Sequence, residues 1–125
     1  MYFCTMSKPL NAEELHQLAM NVVGEHLQDE GYDFLGVNSK LKKDPQFVAL
    51  KNKKLHFVVV RAVTYPNNPA DYDQEKIRRI KDHAQNFNAI TFYAGVGIGN
   101  KQDLEAPVVL SKEYIINFKG LTRIE

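Results

Sequence analysis

One stretch of the sequence decides the fold: Leu55-His56-Phe57-Val58-Val59-Val60-Arg61-Ala62-Val63. Its middle, from Phe57 to Val60, is apolar at four consecutive positions, so the apolar side chains point to both faces of the strand. A strand of this kind is typical of the centre of a sheet that is covered on each side. We therefore expect this segment to be the central strand, with the other elements arranged around it.

A helix is predicted ahead of the central strand. Asn11 and Glu14 have the spacing of a capping box at a helix start, and Gly31 stands where a helix end favours a positive φ. Between them apolar residues recur at helical spacing and predict one buried stripe, formed by Leu15, Leu18, Ala19, Val22, Val23 and Leu27.

Two shorter strands are predicted between this helix and the central strand, at Tyr32 to Val37 and at Gln46 to Leu50. The residues that separate them, Asn38 to Pro45 and Lys51 to Lys54, are polar and basic, as turns usually are. The three strands are expected to form an antiparallel meander.

Further elements are predicted downstream of a loop that is rich in proline and asparagine. They are a second helix over Asp71 to Phe87, a fourth strand over Ala89 to Ile98, and, in a C-terminal extension over 100–125, extended pieces at Val108 to Leu110 and Tyr114 to Phe118. The order α-β-β-β-α-β with short C-terminal strands predicts an α/β (α+β) domain with a mixed sheet. The extension is apolar enough to pack on the sheet or on a partner, and homodimerisation through it is one alternative.

Composition excludes several classes of protein. The 125 residues fit one domain, 1–125, in which residues 1–10 are expected to be a flexible tail. A net charge of +1 gives no overall attraction to nucleic acid or membranes. One cysteine, Cys4, allows no intrachain disulfide, zinc site or iron–sulfur cluster of cysteines. The start lacks the basic and apolar regions of a signal peptide, so we expect a cytoplasmic protein that binds no membrane and no cofactor.

Several segments match a known family in the same order along the chain. Gly31-Tyr32, Asn38, Lys43 to Val48, Phe57 to Arg61 and the basic stretch Lys76 to Lys81 resemble motifs of the small bacterial UPF0102 family, a nuclease-like group of the PD-(D/E)xK superfamily. The resemblance covers about half of the chain. It implies a core like that of restriction endonucleases.

The resemblance also implies a catalytic site whose residues this sequence has replaced. Such nucleases use carboxylates to hold Mg²⁺ and a lysine to orient or activate the attacking water. The family's helix glutamate falls on Met20, its metal-binding aspartate on Gln46, its strand glutamate on Val59 and its lysine on Arg61, whereas Asp44 keeps an acid. We therefore expect no catalytic residue and no metal site at these degenerate positions.

Three functions remain open at this point. The first is an inactive nuclease-like module that binds nucleic acid. The second is a protein-interaction or structural domain without a nucleic-acid role. The third, ranked last, is an active nuclease in which Glu25, Asp33 or Asp44 converge near Arg61 and replace the lost carboxylates.

The candidate nucleic-acid contacts are basic residues of two turns and one strand: Lys40, Lys42, Lys43, Lys51, Lys53, Lys54 and Arg61. Lysines in turns can contact phosphates, but turns that simply keep a sheet soluble are commoner. Arg61 adjoins a buried strand and needs an anion, and an internal pair with Asp44 is favoured over a ligand phosphate. The basic residues of the second helix, from Lys76 to Lys81, are interpreted as a solvated face.

Two other features have ordinary interpretations. Gly95, Gly97 and Gly99 alternate, so all three face one side of the fourth strand and predict close packing there of another element or another subunit. The four histidines are scattered and do not predict a metal site.

Overall fold

The computed structural model describes residues 9–109 and 112–125. Within these ranges the elements are α1 (Ala12–Asp29), β1 (Asp33–Val37), β2 (Phe47–Lys51), β3 (Lys54–Thr64), α2 (Gln74–Gln85), β4 (Ile90–Asn100), β5 (Tyr114–Asn117) and β6 (Thr122–Arg123). Most of the predicted tail, and Leu110 of one predicted extended piece, lie outside the described residues. At the first described residues, the Leu10 N–H donates to the Val108 carbonyl at 2.8 Å.

The α1 helix has the two ends that the sequence predicts. The Asn11 side chain accepts the Glu14 N–H at 2.8 Å, and the Glu14 carboxylate accepts the Asn11 N–H at 3.0 Å. At the other end Gly31 has φ +85. There the Gly31 N–H bonds to Gln28 and the Tyr32 N–H bonds to Leu27, which satisfies two carbonyls that the helix leaves free.

Replacing Asn11 with alanine is expected to lower the free energy of unfolding by about 1 kcal/mol, because the first turn loses its side-chain acceptor. Asn21, which is exposed in the middle of the same helix, provides the matched control. Asn21→Ala should leave stability unchanged or raise it slightly, since alanine is the better helix former. Chemical denaturation of both variants measures the difference, and equal losses would contradict the role of the cap.

The sheet is mixed, and its strand order is β1-β2-β3-β4-β5, with β6 paired to the outer side of β4. The first three strands form the predicted antiparallel meander. The β3 and β4 strands are parallel, which requires the crossover that α2 supplies. The β5 and β6 strands return antiparallel to β4. The predicted class, a mixed α+β domain, is confirmed.

The core lies on both faces of β3, as its apolar run predicts. On one face Val58 and Val60 pack with α1, and on the other Val59 packs with Ile77 of α2 and Tyr93 of β4. Val58, Val59 and Val60 are all fully buried. Of the two helices in the described ranges, neither is both long enough and apolar enough to cross a membrane.

The buried stripe of α1 is rotated relative to the prediction. It consists of His16, Ala19, Met20, Val23 and Leu27, whereas the predicted Leu15, Leu18 and Val22 are only partly buried. These three side chains pack against the edge of the core, whereas Met20 is part of the core itself. A polar residue, His16, therefore occupies a position that the apolar pattern had left to solvent.

The second helix is shorter than the predicted span of Asp71 to Phe87. It begins after Asp73, whose side chain accepts the Lys76 N–H at 3.1 Å. It ends at Gln85, so Phe87, the last residue of the predicted span, lies beyond the helix and is 56% exposed. The capping bond at Asp73 explains the later start, because an N-cap residue itself is not helical.

The three glycines of β4 allow the close approach that their alternation predicts. A Cβ at Gly95 would lie 1.8 Å from the Pro69 carbonyl oxygen, and one at Gly99 would lie 2.9 Å from Leu104. The loop between β3 and α2 therefore packs directly on the backbone of β4.

The C-terminal extension is part of the sheet. Phe118 and Leu121 pack against the α1 side of the core. On β5 the side chains of Tyr114, Ile115 and Ile116 remain about two-fifths exposed, at 38%, 42% and 38%. Of the two predicted alternatives, packing on the sheet or on a partner, the extension thus packs on the sheet. Its strand β5 still exposes apolar side chains to solvent.

Candidate functional site

Arg61 and Asp44 form a two-pronged ion pair at the start of β2. The Arg61 Nη1 and Nη2 atoms donate to the two carboxylate oxygens of Asp44, each at 2.7 Å. The side chains are 16% and 6% exposed. Arg61 also donates to the carbonyl of Val60 at 2.9 Å. The predicted internal pairing of Arg61 with Asp44 is confirmed.

Gln46 joins this pair to the backbone of the central strand. Its side-chain amide donates to Asp44 at 2.9 Å, and its side-chain oxygen accepts the Val60 N–H at 2.7 Å. Gln46 is fully buried, so both halves of its amide need partners. A carboxylate in its place would keep the acceptor but lose the donor to Asp44.

The carboxylate of Asp44 is held in its charged form. Burial by itself would raise its pKa, but hydrogen bonds from Arg61 and Gln46 and the charges of Arg61 and Lys76 lower the pKa below its ordinary value. The Lys76 ammonium lies 3.8 Å from the Asp44 carboxylate. The stability that this carboxylate contributes is complete above the unfolded-state pKa and is lost as pH falls toward the lowered folded-state value.

Arg61 also lines a groove of about 310 Å³, here called the Arg61 groove. Its walls come from the C-terminal end of β3, the residues before α2, the first turn of α2, the middle of β4, and Lys42 of the β1–β2 connection. The charged and aromatic lining residues are Lys42, Arg61, Asp71, Tyr72, Asp73, Lys76 and Tyr93. The groove therefore lies on the face of the sheet that α2 covers, beside the last residues of β3.

Comparison with known proteins gives a family assignment. Residues 13–124 match the family described as Domain of unknown function (DUF8840). The chain belongs to this family. No protein of curated function matches the sequence. The match covers nearly all of the described DUF8840 fold, from the first turn of α1 through β6, and so includes every residue of the Arg61 groove.

The structure brings only some of the degenerate nuclease positions together. Asp44, Gln46 and Arg61 form one hydrogen-bonded cluster. Met20 instead belongs to the core on the α1 side of the sheet. Val59 lies on the same face of β3 as Arg61 and packs on Ile77, which lines the Arg61 groove. These two apolar residues fill positions where the UPF0102 resemblance implies carboxylates.

The predicted basic turns do not form a single surface. Lys40, Lys42 and Lys43 precede β2, whereas Lys51, Lys53 and Lys54 lie at its other end. The five residues of β2 separate them by about 17 Å, at about 3.3 Å per residue. Lys42 alone among these turn lysines lines the Arg61 groove, while the Lys51 ammonium lies 4.9 Å from the Tyr32 ring centre.

The carboxylates proposed as migrated metal ligands lie apart. Glu25 lines a different groove, between α1 and β1. Asp33 pairs with Leu50 at the far end of β2 from Asp44. Within the described ranges no three histidine, cysteine, aspartate or glutamate side chains cluster as metal ligands would. Both oxygens of Asp44 are already occupied by Arg61.

Sequence reasoning missed several residues of the groove and one buried residue of α1. Lys76 was interpreted as part of a solvated face, and Tyr72 and Tyr93 were not singled out. His16 is 1% exposed and neither ring nitrogen has a hydrogen-bond partner among the described residues. Its spacing from Ala19, Met20 and Val23 on one helix face was the available indication that it is buried.

Burial, the main cause, and the charge of Arg61 lower the pKa of His16 below its ordinary value of 6.5, against the opposing effect of Asp44. Burial likewise lowers the pKa of His56, on β3, from 6.5. The folded protein therefore favours the neutral form of both rings. At a pH below about 6.5, the ordinary pKa of histidine, both histidines bind protons when the chain unfolds. Stability should therefore fall as pH is lowered from about 7.5 to 5.5, by at most about 1.4 kcal/mol per pH unit for each histidine.

The variant His16→Leu measures how much of this pH dependence comes from His16. Its free energy of unfolding, measured by denaturation at about pH 7.5 and about pH 5.5, should fall less on acidification than that of the wild type. His83 is exposed on α2, so His83→Gln is the matched control and should keep the wild-type dependence. An unchanged acid loss in His16→Leu would mean that His16 does not titrate as its burial implies.

Proposed function

We propose that this DUF8840 domain is a catalytically inactive, nuclease-like module that binds nucleic acid by phosphate contacts in the Arg61 groove. The fold supports the nuclease-like part. A helix, an antiparallel three-strand meander, a crossover helix and a parallel fourth strand follow one another, in the order of the PD-(D/E)xK core that the sequence resembles. The helices cover opposite faces of β3.

One observation carries the proposal. Where the resemblance implies metal-binding carboxylates and a lysine, the chain has a closed ion pair, Arg61 with Asp44, braced by Gln46. A metal ion would have to displace the Arg61 guanidinium from both carboxylate oxygens, so this arrangement disfavours a metal ion at Asp44. Lys42 and Lys76 line the same groove and supply the positive charges that a phosphate would contact.

The experiment removes one groove charge without changing the backbone. Lys42 and Lys53 are both exposed and both have positive φ, 59 and 64, a conformation that asparagine tolerates. Lys42→Asn should weaken binding of a short labelled DNA or RNA, with a salt dependence that is shallower by about one charge. Lys53→Asn, at the other end of β2, is the control and should bind as the wild type does.

Lys76→Gln extends the same test to α2 and should reduce affinity as Lys42→Asn does. Fluorescence anisotropy at low salt measures all three variants against the wild type. If Lys42→Asn and Lys53→Asn weaken binding equally, the contact is diffuse and the groove is not the site. If the wild type binds no nucleic acid at low salt, the proposed function is wrong.

A second function, protein interaction, is favoured by the exposed edge strand. All five residues of β1 are exposed, and Phe34, Leu35 and Val37 are 40%, 61% and 58% exposed. Edge strands are usually protected by charge or by a cover, so an apolar edge is a surface on which another strand can pair.

A lysine substitution on β1 or on β5 shows which of these two apolar strands, if either, forms a homodimer contact. If the chain is a homodimer through β1, Leu35→Lys should convert it to a monomer in sedimentation velocity. If the C-terminal extension forms the contact, Ile115→Lys should do so instead. A wild-type protein that is monomeric at every concentration would exclude homodimerisation at both edges.

A further inference from the structure

The lining of the Arg61 groove is too varied for a site that binds phosphate alone. Three cations line it, Lys42, Arg61 and Lys76, together with two carboxylates, Asp71 and Asp73. A duplex-binding surface is typically a track of several cations along the backbone. Here the two groups of turn lysines are separated by the length of β2, and the groove holds both signs of charge. These features favour a small ligand that carries an anion and hydrogen-bond donors.

Two tyrosines form an aromatic wall beside these charges. The rings of Tyr72 and Tyr93 lie 4.7 Å apart, centre to centre, and are inclined by 39°. Tyr93 is 3% exposed, and its hydroxyl donates to the Asp71 carbonyl at 3.3 Å. Burial raises the pKa of Tyr93 above its ordinary value of 10.0, which keeps this donor protonated. Tyr72 is half-buried, packs on this fixed ring and lines the groove.

The two carboxylates differ in what they already bind. Asp73 caps α2 by accepting the Lys76 N–H, so part of its capacity is used. Asp71 is exposed, and within the described part of the chain its carboxylate takes part in no hydrogen bond or ion pair. A free carboxylate beside an aromatic ring can accept the amino N–H groups of adenine or cytosine.

We infer that the Arg61 groove binds one unpaired nucleotide unit, with its phosphate on Lys42 and Lys76, its base on Tyr72 and a base amino group at Asp71. This inference rests on the proposed function and deepens it, because it selects single-stranded nucleic acid over duplex. The groove volume of about 310 Å³ lies at the lower end of the range for ligand sites, about 300–1,000 Å³, and suits one nucleotide.

The test compares a labelled single-stranded DNA of adenines, a hairpin duplex and free adenosine monophosphate, with inorganic phosphate as competitor. The single strand should bind tightest, the monophosphate should compete for it, and inorganic phosphate should compete far more weakly. Tyr72→Leu should weaken single-strand binding by about tenfold or more, since stacking on an aromatic ring is lost. Tyr72→Phe keeps the ring and should bind as the wild type does.

Tyr65 provides the matched control, because it is an exposed tyrosine outside the Arg61 groove. Tyr65→Leu should leave affinity unchanged. Circular dichroism confirms that each variant is folded, and Tyr72→Phe, which preserves packing on Tyr93, keeps the comparison valid if Tyr72→Leu is unfolded. In that case Asp71→Ala, which removes the acceptor, decides by a reduced preference for adenine over thymine strands.

The outcomes separate this inference from the proposed function. Equal binding of duplex and single strand, with no effect of Tyr72→Leu or Asp71→Ala but a loss in Lys42→Asn, would overturn the nucleotide inference and keep phosphate binding. Competition by inorganic phosphate as strong as by the monophosphate would likewise reduce the site to a phosphate site. No binding of any of these probes would overturn both.

Discussion

Replacing Arg61 with methionine is expected to lower the free energy of unfolding by about 3–5 kcal/mol, the usual cost of leaving one partner of a buried ion pair unpaired. The Asp44 carboxylate is 6% exposed and receives two bonds from Arg61. After the substitution its remaining close partners are the Gln46 amide and the more distant Lys76 ammonium.

The double variant shows whether this loss comes from the unpaired charge. In Asp44→Asn/Arg61→Met no charge of the pair remains, so the double variant should be more stable than Arg61→Met alone. Arg79→Met serves as the control for loss of an arginine, because its ion pair with Glu75 is exposed, with side chains 74% and 66% exposed. It should cost well under 1 kcal/mol. Similar losses in Arg61→Met and Arg79→Met would contradict the structural role of the Asp44–Arg61 pair.

Replacing Gly95 with alanine should be the most damaging of the glycine substitutions. Its Cβ would lie 1.8 Å from the Pro69 carbonyl oxygen and 2.9 Å from the Tyr93 ring, and neither neighbour is the free end of a flexible side chain. The loop must move away from β4, with an expected cost of about 3 kcal/mol, the upper end of the range for overpacking.

Gly36→Ala provides the control within the same sheet. Its Cβ would meet Val48 at an ordinary 3.9 Å, so stability should change by less than about 0.5 kcal/mol or should rise slightly. Thermal denaturation of both variants gives the comparison. Because Asp71 and Tyr72 follow the displaced loop, Gly95→Ala should also weaken ligand binding in the Arg61 groove. An unaffected Gly95→Ala would mean that the loop does not pack on β4 as the structure has it.

Local rules of sequence were enough for the elements that depend on local contacts. The capping pair Asn11 and Glu14, the positive φ at Gly31 and the doubly buried strand from Phe57 to Val60 were all predicted, because each depends on side-chain chemistry or periodicity within a few residues. The pair of Arg61 with Asp44 was also predicted, since a charge beside a buried strand needs an opposite charge.

Features that depend on distant segments were not predictable in the same way. The Arg61 groove exists because Lys42, Lys76 and Tyr93 meet across the end of β3, although they come from three separate parts of the chain. Nothing in the two residues of β6 indicates a strand, and β6 forms only because the edge of β4 lies beside it. The burial of His16 was missed because an apolar pattern gives no weight to a polar residue on the buried face.

The central proposal is that this mixed α+β domain binds nucleic acid without cleaving it. The most direct test is to titrate the wild-type protein against short single- and double-stranded DNA and RNA, between about 50 and 200 mM salt, with and without Mg²⁺ or Mn²⁺, and to analyse the same samples for cleavage products. The account predicts binding that weakens with salt, does not need metal and leaves every strand intact. Cleavage that requires a metal ion would contradict it, as would the absence of binding at the lowest salt.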